Sequence, residues 1–410
     1  MGTSRAQGLT IAVATGLYNL TAMLDVVVIG GGPGGMSVAR SLAALGRSVT
    51  VFEEHDIIGS PVHCTGVLAE DAIATLNLPA ESVLNPLATV KFVAPAGHSF
   101  EYTTATTEAV VIDRAVFDDA LARRAELAGA TVLRGRRVTA IEPGDSAVRI
   151  TLAGGETMVA RAAVLACGAN YTFQRRLGFG MPSAFLQSAQ LELPADRLGE
   201  VEIHFGSEIA PKGFAWAVPV QRSYGTFVRI GVMADADAGE YFSRMLARVR
   251  ERWSVAVPDT LSPRRRMLPL GGVRRSYTDR VLAVGDAAGL VKPTTGGGIY
   301  YSIVSGEIAA EVLNTALAVN DLSASALREY ERRWRARFQS EFNAQLALRF
   351  VAQRMRDTDI DALFELAKTD GILPIVRQTA RFNKHRDFIL ALLRHQPARR
   401  ALFGRLARSA

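Results

Sequence analysis

The chain has only two cysteines, Cys64 and Cys167, in 410 residues. Two thiols build no disulfide framework, and no His/Cys cluster at ligand spacing accompanies them, so no metal is expected. Long apolar runs are also missing: none reaches the roughly 18 residues that a bilayer span needs. There is no internal repeat and no low-complexity tract. Charged residues make up 21% and hydrophobic ones 49%, which argues against wholesale disorder. What remains is a globular chain, long enough for two or three domains and a large core. The sparse thiols fit an intracellular, reducing compartment, so a cytoplasmic protein is expected.

What the chain does have is Asp25-Val26-Val27-Val28-Ile29-Gly30-Gly31-Gly32-Pro33-Gly34-Gly35. An apolar strand runs into Gly-x-Gly-x-x-Gly, and a helix-forming stretch follows from Met36 to Leu45. A second apolar run, Val49-Thr50-Val51-Phe52, ends in Glu53. Gly30 lets the chain turn sharply, Gly32 lets backbone amides approach a pyrophosphate, and Gly35 lets the helix pack against the strand. The helix N-terminus offers free N–H groups and positive dipole to phosphates. Glu53 can accept hydrogen bonds from a ribose. The pattern points to a dinucleotide site without separating FAD from NAD. The plainer alternative is a glycine-rich turn in an ordinary α/β protein.

Further along, strands are expected at Thr89–Val93, Ala109–Ile112, Thr131–Leu133, Val138–Ile141, Val148–Leu152 and Ala162–Ala166, with a helix from about Arg114 to Ala128. Residues 185–232 are strand-rich, a helix follows from about Glu240 to Trp253, and from Ile299 the pattern is helical to the end. A second turn lies between: Val281-Leu282-Ala283-Val284-Gly285-Asp286, then Pro293-Thr294-Thr295-Gly296-Gly297-Gly298-Ile299 opening a helix. Asp286 can hold a ribityl hydroxyl, and the Gly296–Ile299 amides can approach a flavin's pyrimidine edge. The alternative is a loop leading into a core helix.

These two motifs resemble the FAD-binding elements of the flavoprotein group that contains aromatic-ring hydroxylases. Three further stretches resemble one branch, the geranylgeranyl reductases. They are Gly59-Ser60-Pro61-Val62-His63-Cys64-Thr65-Gly66-Val67, Gly213-Phe214-Ala215-Trp216-Ala217-Val218-Pro219 and Ile112-Asp113-Arg114-Ala115-Val116-Phe117-Asp118. The likeness covers residues 25–316 well and the C-terminal helices loosely. It implies an α/β fold with a discontinuous Rossmann-type FAD-binding domain (25–75, 105–180 and 270–316). A mostly antiparallel β-sheet substrate domain (76–104 and 181–269) is inserted, and a helical region (317–410) follows. It implies FAD cradled by Gly30, Gly32, Gly34 and Gly35, with Glu53 on the adenosine ribose and Val138 near adenine. Cys64 and Gly66 would sit beside the cofactor, Arg114 near its ribityl or phosphate region, and Asp286, Gly298 and Ile299 at the flavin end. Phe214 and Trp216 would shape an apolar substrate channel, and Cys64 and Trp216 would serve catalysis. Tyr300 or Tyr301 would face the flavin, while Cys167 reads as packing. Three departures stand out: Cys167-Gly168 replaces the more common Asp-Gly, Phe214 replaces a tyrosine, and the cysteine loop is one residue short.

The formal charge is +7. After residue 380, Arg381, Lys384, Arg386, Arg394, Arg399, Arg400, Arg405 and Arg408 alternate with apolar residues against one acid, Asp387. This suits basic amphipathic helices on an anionic membrane, hence a peripheral membrane protein, or equally the solvated face of a packed subdomain. No nucleic-acid module accompanies the charge, so no nucleic-acid partner is expected. Residues 1–24 read as an extension: a disordered or mis-assigned start, or a weak secretion signal built on the stretch from Leu9 to Leu17 behind Arg5.

The expected activity is reduction of isoprenoid C=C bonds by hydride from reduced FAD, with NAD(P)H or ferredoxin as external reductant. The substrate would be a geranylgeranyl lipid, a prenyl diphosphate or a prenylated quinone. The alternatives are a flavin monooxygenase or halogenase on the same fold, and a non-enzymatic prenyl-binding protein.

Overall fold

The computed structural model describes residues 23–255, 262–369 and 372–403, with two short backbone segments, 12–13 and 16–17, before them. Apart from those two segments, the stretch from Leu9 to Leu17 lies outside this description, as do Arg405 and Arg408.

Apolar strands too short to be helices are satisfied only by burial on both faces of a parallel sheet. Strands Leu24–Ile29, Val49–Phe52 and Thr131–Leu133 pair in parallel, and Val26, Val27 and Val28 are fully buried. Strand Thr157–Leu165 is shared between two arrangements. Its first half closes an antiparallel meander with Val148–Leu152 and Val138–Pro143. Its second half lies parallel between Leu24–Ile29 and Val281–Ala283. Helix Pro33–Ala44 packs on this sheet beside helix Arg114–Leu127, which Asp113 caps by accepting from the Ala115 and Val116 amides.

A 7-stranded sheet is built from two separated stretches of chain. Its order runs Arg264–Leu270, Ala184–Pro194, Gly225–Ala234, Phe214–Arg222, Val201–His204, Thr89–Val93 and Ser99–Thr103. All its pairings are antiparallel except that of Val201–His204 with Thr89–Val93. Helix Ala238–Val249 covers its outer face. It stops short of the expected Trp253, which instead turns inward and donates from Nε1 to Glu202 at 3.2 Å. Strands Val67–Ala69, Val83–Leu87, Tyr277–Thr278 and Arg264–Leu270 were not foreseen. The last opens on three arginines, which hide any apolar alternation.

From Ile299 the chain is helical, as expected: Ile299–Ala318, Ala324–Ala352, Asp357–Thr369, Ile372–Thr379, Arg386–Arg394 and Gln396–Phe403. The first helix seals the parallel sheet, and the last four close over the inner face of the 7-stranded sheet.

Candidate functional site

A single cavity of about 1670 Å³ lies between the parallel sheet, the inner face of the 7-stranded sheet and the C-terminal helices. Pockets for one drug-sized ligand are roughly 300–1,000 Å³, so this one has room for two ligands.

One end is the glycine turn. Gly30 has φ +108°, and a Cβ there would lie 2.3 Å from the Ala166 carbonyl oxygen, so no other residue fits the turn. Gly34 and Gly35 occupy the first turn of helix Pro33–Ala44, where amides have no intrahelical acceptor. A Cβ at Gly32 would meet nothing within 4 Å, so the backbone here faces open space. Glu53 Oε2 accepts from the Gly31 amide at 2.8 Å, and Oε1 accepts from the His55 amide at 2.9 Å. His55 Nδ1 lies 2.6 Å from the same Oε1. Val138, Arg136 and Arg137 line the same end.

The middle holds the cysteine loop. Arg114 donates to Asp118 at 3.2 and 2.6 Å and reaches Cys64. Burial opposes its charge, but the Asp118 carboxylate beside it holds Arg114 firmly protonated. The Gly66 amide donates to Cys64 Sγ at 3.3 Å. Buried Arg229 pins this loop, donating to the carbonyls of Thr65 at 2.6 Å and Ile112 at 3.0 Å, and to Glu192 at 2.7 Å. His63 lines the cavity with Nδ1 buried and unpartnered. Burial, then Arg266 and Arg264, push its imidazole down to about 4, so it is neutral.

The second turn completes this region. Asp286 lies in the turn Gly285–Ala288, with burial raising its carboxyl above the usual range. Tyr171 Oη donates to its carbonyl at 2.6 Å, and no side chain among the described residues donates to its carboxylate. A Cβ at Gly298 would lie 2.6 Å from Asp286 Oδ1, so a side chain there would push the carboxylate aside. Gly298 caps helix Ile299–Ala318, and Lys292 folds over neighbouring Gly297. Lys292 is buried and donates to the Phe382 carbonyl at 2.5 Å; burial lowers its ammonium to about 7.

The far end is apolar. Trp216 and Phe214 have ring centroids 5.8 Å apart on strand Phe214–Arg222. From Phe214 the aromatic wall continues through Phe205, Phe364, Phe100 and Phe92, with centroids 5.2–6.2 Å apart. Phe364 comes from helix Asp357–Thr369, so the C-terminal helices supply the opposite wall.

Gly30, Gly32, Gly34, Glu53, Cys64, Gly66, Arg114, Val138, Phe214, Trp216, Asp286, Gly298 and Ile299 all line this one cavity; Gly35 sits just behind, against the Gly30 carbonyl. Neither Tyr300 nor Tyr301 reaches it, against expectation. Tyr301 is buried between Phe338 and Phe342, with centroids at 4.9 Å, and Tyr300 leans on it. The helix turns both phenols toward the helical layer and presents Ile299 and Ser302 to the cavity instead. Cys167, read as packing, also lines it, with burial raising its thiol to about 11. His55, Arg229 and Lys292 were missed: each is a lone polar residue whose role appears only when the chain folds.

Free helix-terminal amides, the Glu53 carboxylate beside the glycine turn and the half-buried Asp286 carboxylate, to which no described side chain donates, suit phosphates and hydroxyls. The donor set therefore fits FAD. Fold and site together define a Rossmann-type FAD-binding oxidoreductase. A family model described as lycopene cyclase protein matches residues 25–369. The digeranylgeranylglycerophospholipid reductase of Methanocaldococcus jannaschii is 31% identical over 371 residues, covering 87% of this chain and 94% of the relative. Digeranylgeranylglycerophospholipid reductase 2 of Methanopyrus kandleri is 31% identical over 370 residues, covering 86% and 92%. In fold, the chain resembles a geranylgeranyl bacteriochlorophyll reductase-like protein from Thermoplasma acidophilum, with TM-score 0.79, 21% identity, and 94% and 99% coverage. It also resembles the flavin-dependent brominase Bmp2, with TM-score 0.65, 17% identity, and 87% and 93% coverage. The chain belongs to the geranylgeranyl reductase family of FAD-dependent flavoproteins.

Proposed function

We propose that the protein is an FAD-dependent reductase of isolated C=C bonds in a prenyl chain. The observation that carries this is the continuity of one cavity. The glycine turn stands at one end, Asp286 and the cysteine loop in the middle, and an aromatic chamber able to take a long apolar chain opens at the other end. The reductases of M. jannaschii and M. kandleri, named for a digeranylgeranylglycerophospholipid, point to the same substrate class.

Gly32, Gly34 and Gly35 would bind the pyrophosphate of FAD, Glu53 and Val138 its adenosine end, Arg114 its ribityl or phosphate region, and Asp286, Gly298 and Ile299 its flavin end. Bound FAD, once reduced by an external donor (NAD(P)H or ferredoxin), supplies hydride. The protein's own side chains do the rest. An unactivated alkene is a poor hydride acceptor, so protonation must lead or accompany hydride delivery. Cys64 Sγ, held in the cavity by Gly66 and Arg114, is the group we assign to deliver that proton. Phe214 and Trp216 orient the chain, and the indole face stabilises transient positive charge. The C-terminal helices exclude water from the chamber.

The apolar side chains of those helices, including Phe388, Leu392 and Leu402, face the cavity, so they are not free to enter a bilayer. This supports the packed-subdomain alternative, in which the helices form a wall of the chamber. No helix among the described residues is long and apolar enough to cross a membrane. Arg377, Lys384, Arg386, Arg394, Arg399 and Arg400, none of them lining the cavity, stay exposed. Charge attraction through these residues would hold the protein on an anionic surface.

The test is anaerobic. The purified protein is reduced with dithionite and mixed with a geranylgeranyl lipid. Reoxidation of the flavin with a product two hydrogens heavier per step supports the reading. A flavin that stays reduced until oxygen enters overturns it.

A further inference from the structure

The inner face of the 7-stranded sheet has a direction. Residues opposite one another across paired strands share a face. One such row crosses the whole sheet: Arg264, Gln190, Gly231, Trp216, Ile203, Phe92 and Phe100. A second begins Arg266, Ser188, Met233, Phe214. Both start on guanidinium groups at the edge strand, pass polar side chains, and end in aromatic rings. With strands about 4.8 Å apart, six steps span roughly 29 Å.

The guanidinium end is unneutralised. Arg264 and Arg266 are exposed, and among the described residues neither lies within 4.0 Å of a carboxylate. Arg266 lines the cavity rim beside His63, Ser188 and Gln190. The arginines around the cysteine loop, by contrast, have acids: Arg114 has Asp118, Arg222 has Asp113 and Glu192, and Arg229 has Glu192. Arg266 at the open rim, with Arg264 two residues along the same strand on the same face, heads a chamber that turns apolar across one sheet and so matches an amphiphile with an anionic head. Phosphate is the head that paired arginines bind best.

We propose that Arg264 and Arg266 form a phosphate subsite that holds the headgroup of the prenyl substrate, so that the chain enters the chamber tail first past Trp216. This rests on the prenyl-reductase reading and deepens it, because a phosphate-headed lipid is then preferred over a prenylated quinone.

Binding, not turnover, tests the subsite. The oxidised holoprotein is titrated with geranylgeranyl monophosphate and with geranylgeraniol, following the flavin spectrum and tryptophan fluorescence. The wild type should bind the phosphate about tenfold more tightly or better, a gap of about 1.4 kcal/mol. Arg264→Gln with Arg266→Gln should erase that gap, while Lys at both positions should keep most of it. Arg265→Gln, whose side chain lies on the opposite face beside Gly239, should leave it intact. Inorganic phosphate should compete weakly with the lipid, and competition as strong as the lipid's own binding would reveal a free-phosphate site instead. Equal affinity for the two lipids in the wild type overturns the subsite. So does an equal loss from Arg265→Gln, which would indicate general attraction or a docking patch for an acidic electron-donor protein. Preference for the phosphate without any flavin reoxidation by it would leave the subsite standing and remove the reductase reading.

Discussion

Gly231 stands directly opposite Trp216 in the 7-stranded sheet, and a Cβ built on it would lie 2.2 Å from the indole's Cζ2. The indole lies flat across the neighbouring strand because nothing rises from that strand to stop it. Trp216 is 8% exposed, and its Nε1 has no partner, so only packing fixes the ring's angle. Gly231→Ala should tip the ring into the chamber. Overpacking of this kind costs about 1–3 kcal/mol. The variant should melt lower, keep its FAD and bind geranylgeraniol less tightly; unchanged lipid affinity would detach Trp216 from the substrate wall.

Asp286 is half-buried, and among the described residues no side chain donates to its carboxylate, which leaves it open to a ligand's hydroxyls. Asp286→Ala removes that acceptor. A hydrogen bond to a charged group contributes about 1.5–3 kcal/mol, so FAD should bind roughly ten- to hundredfold more weakly. Flavin absorbance per protein after dilution and filtration measures it. Full retention would remove Asp286 from the cofactor site.

Arg229 acts at a distance from the cavity, through three acceptors that lock the Cys64 loop. Arg229→Lys keeps a charge but cannot span Glu192 and two carbonyls. The loop should loosen, and Cys64 should react with a thiol reagent several times faster, read in a Cys167→Ser background. Unchanged reactivity would make Arg229 a purely structural ion-pair member.

Glu202 is buried beneath the outer helix, accepting from His204 Nε2 at 2.8 Å, Arg252 Nε at 2.8 Å and Trp253. Burial opposes its charge, but these donors outweigh it and hold the carboxyl down at about 2. A carboxyl lowered on folding contributes stability that is complete above its unfolded value near 4.5. That stability is lost as pH falls toward 2. The contribution is about 3 kcal/mol at neutral pH. Glu202→Gln should therefore be less stable at pH 7 and show a flatter decline between pH 4.5 and 2.5. Urea midpoints across that range report it.

The parts legible in the sequence are those where local chemistry and tertiary role coincide. Gly30 and Glu53 read as a nucleotide turn because strand, turn and acid occur in order. Asp286 reads the same way, because Gly298 follows at a fixed distance. Strand Arg264–Leu270 was invisible because its cavity-facing positions carry arginines, and alternation detects apolar faces only. Gly231 and Arg229 lie in a plain apolar strand, and their meaning comes from Trp216 and Thr65, distant in sequence. The C-terminal helices carried the right amphipathic signal, but a stripe of apolar residues does not say whether a bilayer or a cavity lies beneath it.

That last ambiguity can be resolved with two sets of variants. Ile389 and Ala398 are buried, and Phe388, Leu392 and Leu402 line the chamber, so the final helices act as its wall. Truncation after residue 380 should expose the aromatic lining to water. The truncated protein should bind a hydrophobic dye, lose lipid reduction and melt lower. Replacing exposed Arg377, Arg394, Arg399 and Arg400 with Gln leaves the wall in place and removes only charge. Each basic residue near an anionic surface contributes about 1 kcal/mol, so binding to phosphatidylserine-containing vesicles should fall by roughly two to three orders of magnitude at low salt. Reduction of a detergent-dispersed lipid should persist. If the charge variant still binds vesicles while the truncation does not, apolar residues beyond the wall hold the membrane. If neither change moves vesicle binding, the membrane contact lies elsewhere on the molecule.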